Sequence, residues 1–404
     1  MKRFLLIGIG GVYNYGCEAI VRGTETILHQ VYPDAEVVYA SRRPLDDAQR
    51  LAGSNITIIE RRWPNRYSPG NICRKALSFM GVKWNRRIDS LKLLRGIDAV
   101  LSIGGDIFTL GPGGTFSTSF AKFGDDARKM GVPYALWGAS VGPFSDNPRA
   151  ERVFKKHLKG LSLIAAREPG TVKYLHSLGI IDNVVPCADP AYMVATDVKT
   201  DMTMNRDRPR IGINLSPLSL CYVSSSREHS IRLQAQAIQS LIQDFNANIV
   251  LIPHVVCDFF KEDDDRIYLR KVKQAIEEKY QNAVTLLESD LGFIATKKEI
   301  VKCDLIIAAR MHCAINALAA TVPTILLSYS QKAVGMCQYI YGSNEWVMSL
   351  NDLTLTDVLT KKVKAMLDRK LEIHTSLMGR IPEAHKDAVH PGLVLKKILE
   401  SRRA

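Results

Sequence analysis

The sequence predicts an α/β protein of two Rossmann-like domains facing across a cleft. Three observations lead there. Short apolar, β-branched segments alternate with amphipathic helical ones through most of the 404 residues, the pattern of a doubly wound parallel sheet. A polar stretch at 196–210, TDVKTDMTMNRDRPR, lacks apolar periodicity and divides the alternation into two sets. Glycine, arginine and histidine recur where strands end, and ligands bind at that edge of an open parallel sheet.

In the first set the strand candidates are Phe4–Ile9, Glu36–Ala40, Ile56–Ile59, Ala99–Ile103, Tyr134–Trp137, Leu163–Ala166 and Val184–Cys187. Helices are expected at Glu18–Gln30, Thr115–Lys129, Arg149–Leu158 and Gly170–Ser177. The second set has strands at Ile211–Leu215, Ile249–Ile252, Val284–Leu286, Leu305–Ala308 and Thr324–Leu327. Its helices are expected at Ile231–Phe245, Asp263–Glu278, Cys313–Ala320 and Leu355–Arg369, with a last one at Gly392–Arg402. The expected division is 1–195, 210–375 and a helical tail at 376–404. This arrangement is glycosyltransferase-B-like.

Composition is that of an ordinary globular chain, 46% hydrophobic and 24% charged. No apolar run approaches the roughly 20 residues that span a bilayer, and the opening MKRFLLIGIGG reads as a first strand, too short in its apolar run for a signal peptide. Eight scattered cysteines, without a CxxC pair or zinc-like spacing, suit reduced thiols in a cytoplasmic protein and no metal. Net charge is +13 and unevenly spread. Residues 61–95 hold ten Lys or Arg against one acid, Asp89, with Trp63 and Trp84 among them. Such a segment suits the anionic inner face of a membrane or a lipid phosphate; nucleic acid or a plain solvated helix face would use the same composition.

Chemistry concentrates in loops after strands. The first, Gly8 to Ile20, follows strand one and opens a helix, but Tyr13 stands where a dinucleotide fingerprint needs its last glycine. Asn14 and Tyr15 are placed to bond sugar hydroxyls. Glu18 is placed as a base, or as a first-turn acid favoured by the helix dipole. After the fourth strand, Gly104-Gly105-Asp106 offers a carboxylate for an acceptor hydroxyl, or a turn former. Trp137 to Phe144 is a strand followed by a rigid turn. Arg167 ends a strand before Pro169 starts a helix; Asp189 ends another before Pro190, and His254 closes a strand of the second set, catalytic or structural.

The richest stretch is Asp304–Lys332. A buried strand delivers Arg310, Met311 and His312 to the start of a small-residue helix, and the next strand leads to Tyr329 and Lys332. Helix N-termini favour anions. Arg310, His312 and Lys332 on adjacent exits therefore suit a small phosphorylated or carboxylated substrate.

In order along the chain, NYGCEAI (Asn14–Ile20), IGGDIF (Ile103–Phe108), the Gly138–Pro143 turn and AREPGTVKYLHSLGI (Ala166–Ile180) resemble the polysaccharide pyruvyl transferase family. So do ADP (Ala188–Pro190), IPH (Ile252–His254) and the RMH…VP…SYSQK block, the resemblance covering roughly residues 3–345. Two departures, Cys17 for a usual acid and Asp106 for a usual glycine, fall on the acceptor side. The resemblance implies transfer of a pyruvyl group from phosphoenolpyruvate to two hydroxyls of a lipid-linked sugar, forming a ketal, without cofactor. The first domain would take the acceptor and the second the donor. Arg310, Arg167 and Lys332 would hold the donor's charges, and His312 would be the acid, histidine being the side chain suited to proton transfer near neutral pH. Glu18, Asp106 and His254 are the candidates for a base. A nucleotide-sugar glycosyltransferase on the same architecture is the alternative; a nucleic-acid-binding protein would leave the strand-exit motifs without a role.

Overall fold

The computed structural model of the chain describes residues 1–61, 93–203, 207–217, 226–328 and 331–402. Of the basic tryptophan-bearing stretch, 62–92 lies outside the described residues, as does Tyr329. The chain forms two compact units: Met1–Gly11, Ile27–Cys187 and His390–Ala404 in the first, Val12–Thr26 and Ala188–Val389 in the second.

The first unit holds a parallel sheet of seven strands, β1 (Arg3–Ile7), β2 (Glu36–Ser41), β3 (Ile56–Glu60), β4 (Ala99–Ile103), β5 (Tyr134–Ala139), β6 (Leu163–Ala166) and β7 (Val184–Pro186). Their order is β3-β2-β1-β4-β5-β6-β7. β4, β5 and β6 are buried along their whole length, which is why they read as continuous apolar runs. The chain reverses its direction of travel across the sheet between β1 and β4, and there glycine is required. Gly8 has φ +119°, and a Cβ on it would lie 2.1 Å from the carbonyl oxygen of Ile103. Gly104 repeats the conformation at φ +123°.

The second unit holds a parallel sheet of six strands, β8 (Arg210–Asn214), β9 (Asn248–Leu251), β10 (Val284–Leu286), β11 (Leu305–Ala308), β12 (Thr324–Ser328) and β13 (Val347–Ser349). The order β10-β9-β8-β11-β12-β13 puts its switch point between β8 and β11, whose register runs Leu305 to Ile211 through Ala308 to Asn214. Ligands of doubly wound sheets gather at such points. Two parallel α/β sheets bear out the expected fold class.

Several elements differ from expectation. β13 has three residues, too few for a periodic signal. The helix expected at Asp263–Glu278 is two, Asp265–Gln274 and Glu278–Gln281. Helices at Gly292–Ile300 and Gln331–Tyr341 were not foreseen. The final helix is Lys370–Ser401, 32 residues long, although Pro382 and Pro391 lie inside it. Buried Ile373, Leu377, Ile381, Ala384, Ala388, Leu395 and Leu399 recur at steps of three, four and seven residues. Burial of that stripe outweighs the local cost of the prolines. No helix among the described residues is long and apolar enough to cross a membrane.

The glycine at the β1 exit supplies a test. Gly8→Ala would force a left-handed alanine into the Ile103 carbonyl, a strain on the order of 2 kcal/mol or more. The thermal unfolding midpoint should fall by several degrees; an unchanged midpoint would show that the β1 and β4 exits separate without cost.

Candidate active site

In the second unit, three strand exits converge on one hydrogen-bonded frame. Asn214, the fully buried last residue of β8, donates from Nδ2 to the carbonyl of Ile252 at 2.8 Å. Its Oδ1 accepts the backbone N–H of Arg310, also at 2.8 Å. One side chain thus ties the exits of β8, β9 and β11.

Arg310 caps the helix Met311–Ala319. Its guanidinium forks onto the Asp265 carboxylate, Nε to Oδ2 at 2.8 Å and Nη2 to Oδ1 at 2.7 Å. Asp265 is fully buried and also accepts the N–H groups of His254 at 2.8 Å and Val255 at 3.0 Å. Burial pushes this carboxyl above the usual carboxylate range, while Arg310 and the two N–H groups pull it back. Two-pronged charge-assisted bonds of this kind fix orientation as well as energy.

His312 is the second residue of the same helix, its side chain 18% exposed. It packs close to Gly16, where a Cβ would come within 2.4 Å of the ring. Its Nε2 is 3.5 Å from Asp189 Oδ2. Asp189 is itself buried and held: its Oδ1 accepts the N–H of Ala191 at 2.9 Å. The turn that follows is anchored at each step. Pro190 presses its carbonyl on Gly23, His385 Nε2 meets the Tyr192 carbonyl at 3.0 Å, and buried Lys297 donates to the Val194 carbonyl at 2.5 Å.

The stretch Tyr13–Tyr15 lies antiparallel along the β9 exit. Tyr15 N–H donates to the His254 carbonyl at 3.0 Å, Val256 N–H to that of Tyr13 at 3.1 Å, and Asn14 bridges Val255. Asn14 Oδ1 accepts the N–H of Gly16 and so starts the helix Tyr15–Val31. Tyr15 is fully buried and donates to Asp290 at 2.8 Å. Glu18, 2% exposed, accepts from Arg22 at 2.9 Å and from the N–H of Phe293 at 2.8 Å, fastening the start of helix Gly292–Ile300. These side chains are engaged with the protein itself, whereas the sequence suggested sugar hydroxyls for Asn14 and Tyr15 and a base for Glu18.

His254 is wholly buried, edge-on to Tyr15 and Phe293. Burial first, then the charges of His312 and Arg310, holds its imidazole well below the usual histidine range. It is a neutral ring packed behind the strand exit, away from solvent. Lys332 is the second residue of helix Gln331–Tyr341, half-buried, after the exit of β12. Arg310, His312, His254, Asn14, Tyr15, Glu18 and Lys332 thus all belong to the second unit.

Arg167 and Asp106 belong to the first. Arg167, its side chain 4% exposed, reaches Ser140 Oγ at 3.3 Å and Glu168 at 3.5 Å, over Gly105. Asp106 is exposed after β4, its carbonyl accepting from Thr109.

Sequence reading passed over Asp265, Asn214, Lys297 and Gly16, and gave Asp189 no role. Asp265 sits in the acidic run 262–265, which looks solvated; only its pairing with Arg310 reveals it. For Asp189 a signal existed, a strand-end aspartate before proline.

Residues 14–331 match the sequence profile of the family described as polysaccharide pyruvyl transferase. The chain belongs to the polysaccharide pyruvyl transferase family. It is accordingly a transferase-family protein of polysaccharide biosynthesis. Among solved structures it is similar to UDP-GlcNAc 2-epimerase from Neisseria meningitidis bound to UDP-GlcNAc, at 14% identity over 99% of this chain and 100% of that one, TM-score 0.57. It is also similar to Anabaena HepE in complex with UDP and glucose, at 12% identity over 99% and 100% of the two chains, TM-score 0.60. The S. aureus MnaA–UDP co-structure aligns over 98% of this chain and 95% of that one at 15% identity, TM-score 0.58. These likenesses carry the fold, glycosyltransferase-B-like, and no activity.

The anchor behind Asp189 is measurable. Burial lowers the Lys297 ammonium from 10.5 to about 8, so the folded state binds its proton less tightly than the unfolded chain does. The penalty is full below pH 8 and fades as pH rises from 8 to 10.5; its size is on the order of 3 kcal/mol. Lys297→Met should therefore raise the unfolding midpoint at pH 7, less about 1 kcal/mol for the lost bond to Val194. The gain should shrink by pH 10. A gain that is flat with pH would contradict a buried charge.

Proposed function

We propose that the protein transfers a pyruvyl group from phosphoenolpyruvate to two hydroxyls of a saccharide, with His312 as the acid. The observation that carries this reading is the placement of His312: at a helix N-terminus, beside Arg310, against glycine, and within 3.5 Å of a buried, anchored carboxylate. An imidazole so held keeps one nitrogen toward Asp189 and can present a proton from a fixed position. Hydrogen bonds of catalytic groups are often long before substrate arrives and tighten on binding.

The donor carries a phosphate and a carboxylate. In this reading Arg310, rigid on Asp265, and the N-termini of helices Met311–Ala319 and Gln331–Tyr341 receive them, with Lys332 adding a point charge. His312 protonates the methylene carbon, which becomes the methyl group, and the neighbouring carbon becomes electrophilic. A first hydroxyl adds to that carbon and returns a proton to His312. The C–O bond to phosphate breaks, and the second hydroxyl closes the ketal, its proton leaving with inorganic phosphate. No cofactor enters this sequence. Glu18, Asn14, Tyr15 and His254 serve as positioning residues that hold Gly16 and the β9 exit in place. Asp106 is assigned to the acceptor.

The acceptor is proposed to be a lipid-linked saccharide at the cytoplasmic face of the membrane. Residues 61–95, at a local charge of +9, supply the peripheral contact; each Lys or Arg near an anionic surface is worth about 1 kcal/mol.

Phosphoenolpyruvate should stabilise the protein thermally and release phosphate when a saccharide acceptor is present, with a pyruvyl mass increment on the product. Stabilisation by sugar nucleotides and none by phosphoenolpyruvate would transfer the reading to a glycosyltransferase. His312→Ala should cut turnover by about 10²-fold or more with the fold intact. Asp189→Asn should lower kcat about tenfold while leaving donor affinity near wild type. Gly16→Ala gives a steric test: a Cβ there meets the Cβ, Cγ and Nδ1 of His312, so activity should fall, with a loss of stability that the helix preference of alanine, up to about 1 kcal/mol, offsets only in part. A fully active Gly16→Ala protein would remove His312 from the chemistry.

A further inference from the structure

Between β9 and the helix Asp265–Gln274 the second unit displays two adjacent phenylalanines. Phe259 is 44% exposed and Phe260 55%. Apolar residues scattered singly on a surface need no explanation, but neighbouring rings beside a candidate site do. The loop that carries them is firmly built. Asp264 accepts the N–H of Cys257 at 3.1 Å and pairs with Arg266, which also holds Asp258 at 2.8 Å. The Phe260 carbonyl accepts from Cys257 Sγ and from the N–H of Asp263. Phe259 stands edge-on to Tyr13, with centroids 5.0 Å apart. The same loop borders the candidate active site, because the Asp263 carbonyl lies 3.5 Å from Arg310 Nη2.

We infer that Phe259 and Phe260 form a stacking platform for a pyranose ring of the acceptor, held beside Arg310. The inference rests on the donor reading above and adds an acceptor contact to it. One face of a pyranose is a patch of C–H bonds, which complements the negative face of an aromatic ring. The sugar's rim carries hydroxyl donors, and the exposed carboxylates of Asp258 and Glu262 flank the rings as acceptors. Asp258, Glu262 and the half-buried Asp263 outnumber Lys261, the one cation of the segment, and a net negative border argues against an anionic membrane as occupant. The loop backbone is held by these bonds and the Phe259 ring by Tyr13, which reduces the ordering left for the bound state.

The test is saturation-transfer NMR on the intact chain. The probes are methyl glycosides of glucose, galactose, mannose and N-acetylglucosamine, with farnesyl phosphate as a lipid control. At least one glycoside should receive saturation on its ring protons. That signal should fall at least fivefold in F259A/F260A and return in F259Y/F260Y. The thermal shift caused by phosphoenolpyruvate should be the same in all three proteins. A glycoside signal unchanged in F259A/F260A, no signal from any glycoside, or a loss confined to farnesyl phosphate would overturn the platform. Absence of the phosphoenolpyruvate shift in the wild-type chain counts against the donor reading alone, since the platform is read from the glycosides.

Discussion

A buried carboxylate needs partners, and Asp265 finds them in three directions. Arg310 grips both oxygens, while the N–H groups of His254 and Val255 hold one of them from behind. Removing one member of such a pair leaves an uncompensated charge in the interior, which typically costs 3–5 kcal/mol. The geometry of β9 and β11 exits is therefore set by electrostatics that tolerates little drift. Asn214 extends the constraint to β8. The result is a rigid rim on which the start of helix Met311–Ala319, and with it His312, has one position.

On the other side of His312 the constraint is steric. Gly16 leaves room for the imidazole and Gly23 leaves room for the Pro190 carbonyl. Both glycines lie in the helix Tyr15–Val31, where glycine is normally a liability. Their cost in helix propensity is offset by close approach: one face of the helix bears the turn that carries Asp189 and the ring that faces Asp189. Asn14, Tyr15 and Glu18 keep that helix in register through bonds to Gly16, Asp290 and Phe293.

Much of the fold was legible in the sequence because it is local. Runs such as Leu305–Ala308 and Ala99–Ile103 are buried on both faces and say so in five letters or fewer. β13 was not legible, since Val347–Ser349 is recruited by pairing with β12. Nor was the length of the last helix, where long-range burial overrides two prolines. The position of Arg310 and His312 after a strand was legible for the same local reason. Their partners were not: Asp265 is 45 residues from Arg310, in an acidic run that resembles solvated surface. Asn14, Tyr15 and Glu18 looked like ligand-facing polar groups because a sequence does not reveal which polar side chains the protein engages itself.

The interleaving of the two units has a consequence for biosynthesis. Residues Val12–Thr26 complete the second unit, but they leave the ribosome before the rest of it, Ala188–Val389. Tyr15 must wait for Asp290, 275 residues later, which at about 5–20 residues per second is on the order of 14–55 s. During that time the apolar side chains of a half-finished helix have no second sheet to cover them. A chaperone that recognises short apolar segments would meet this one on every nascent chain, and the first unit waits longer still, since its last stretch, His390–Ala404, is made after Asp290.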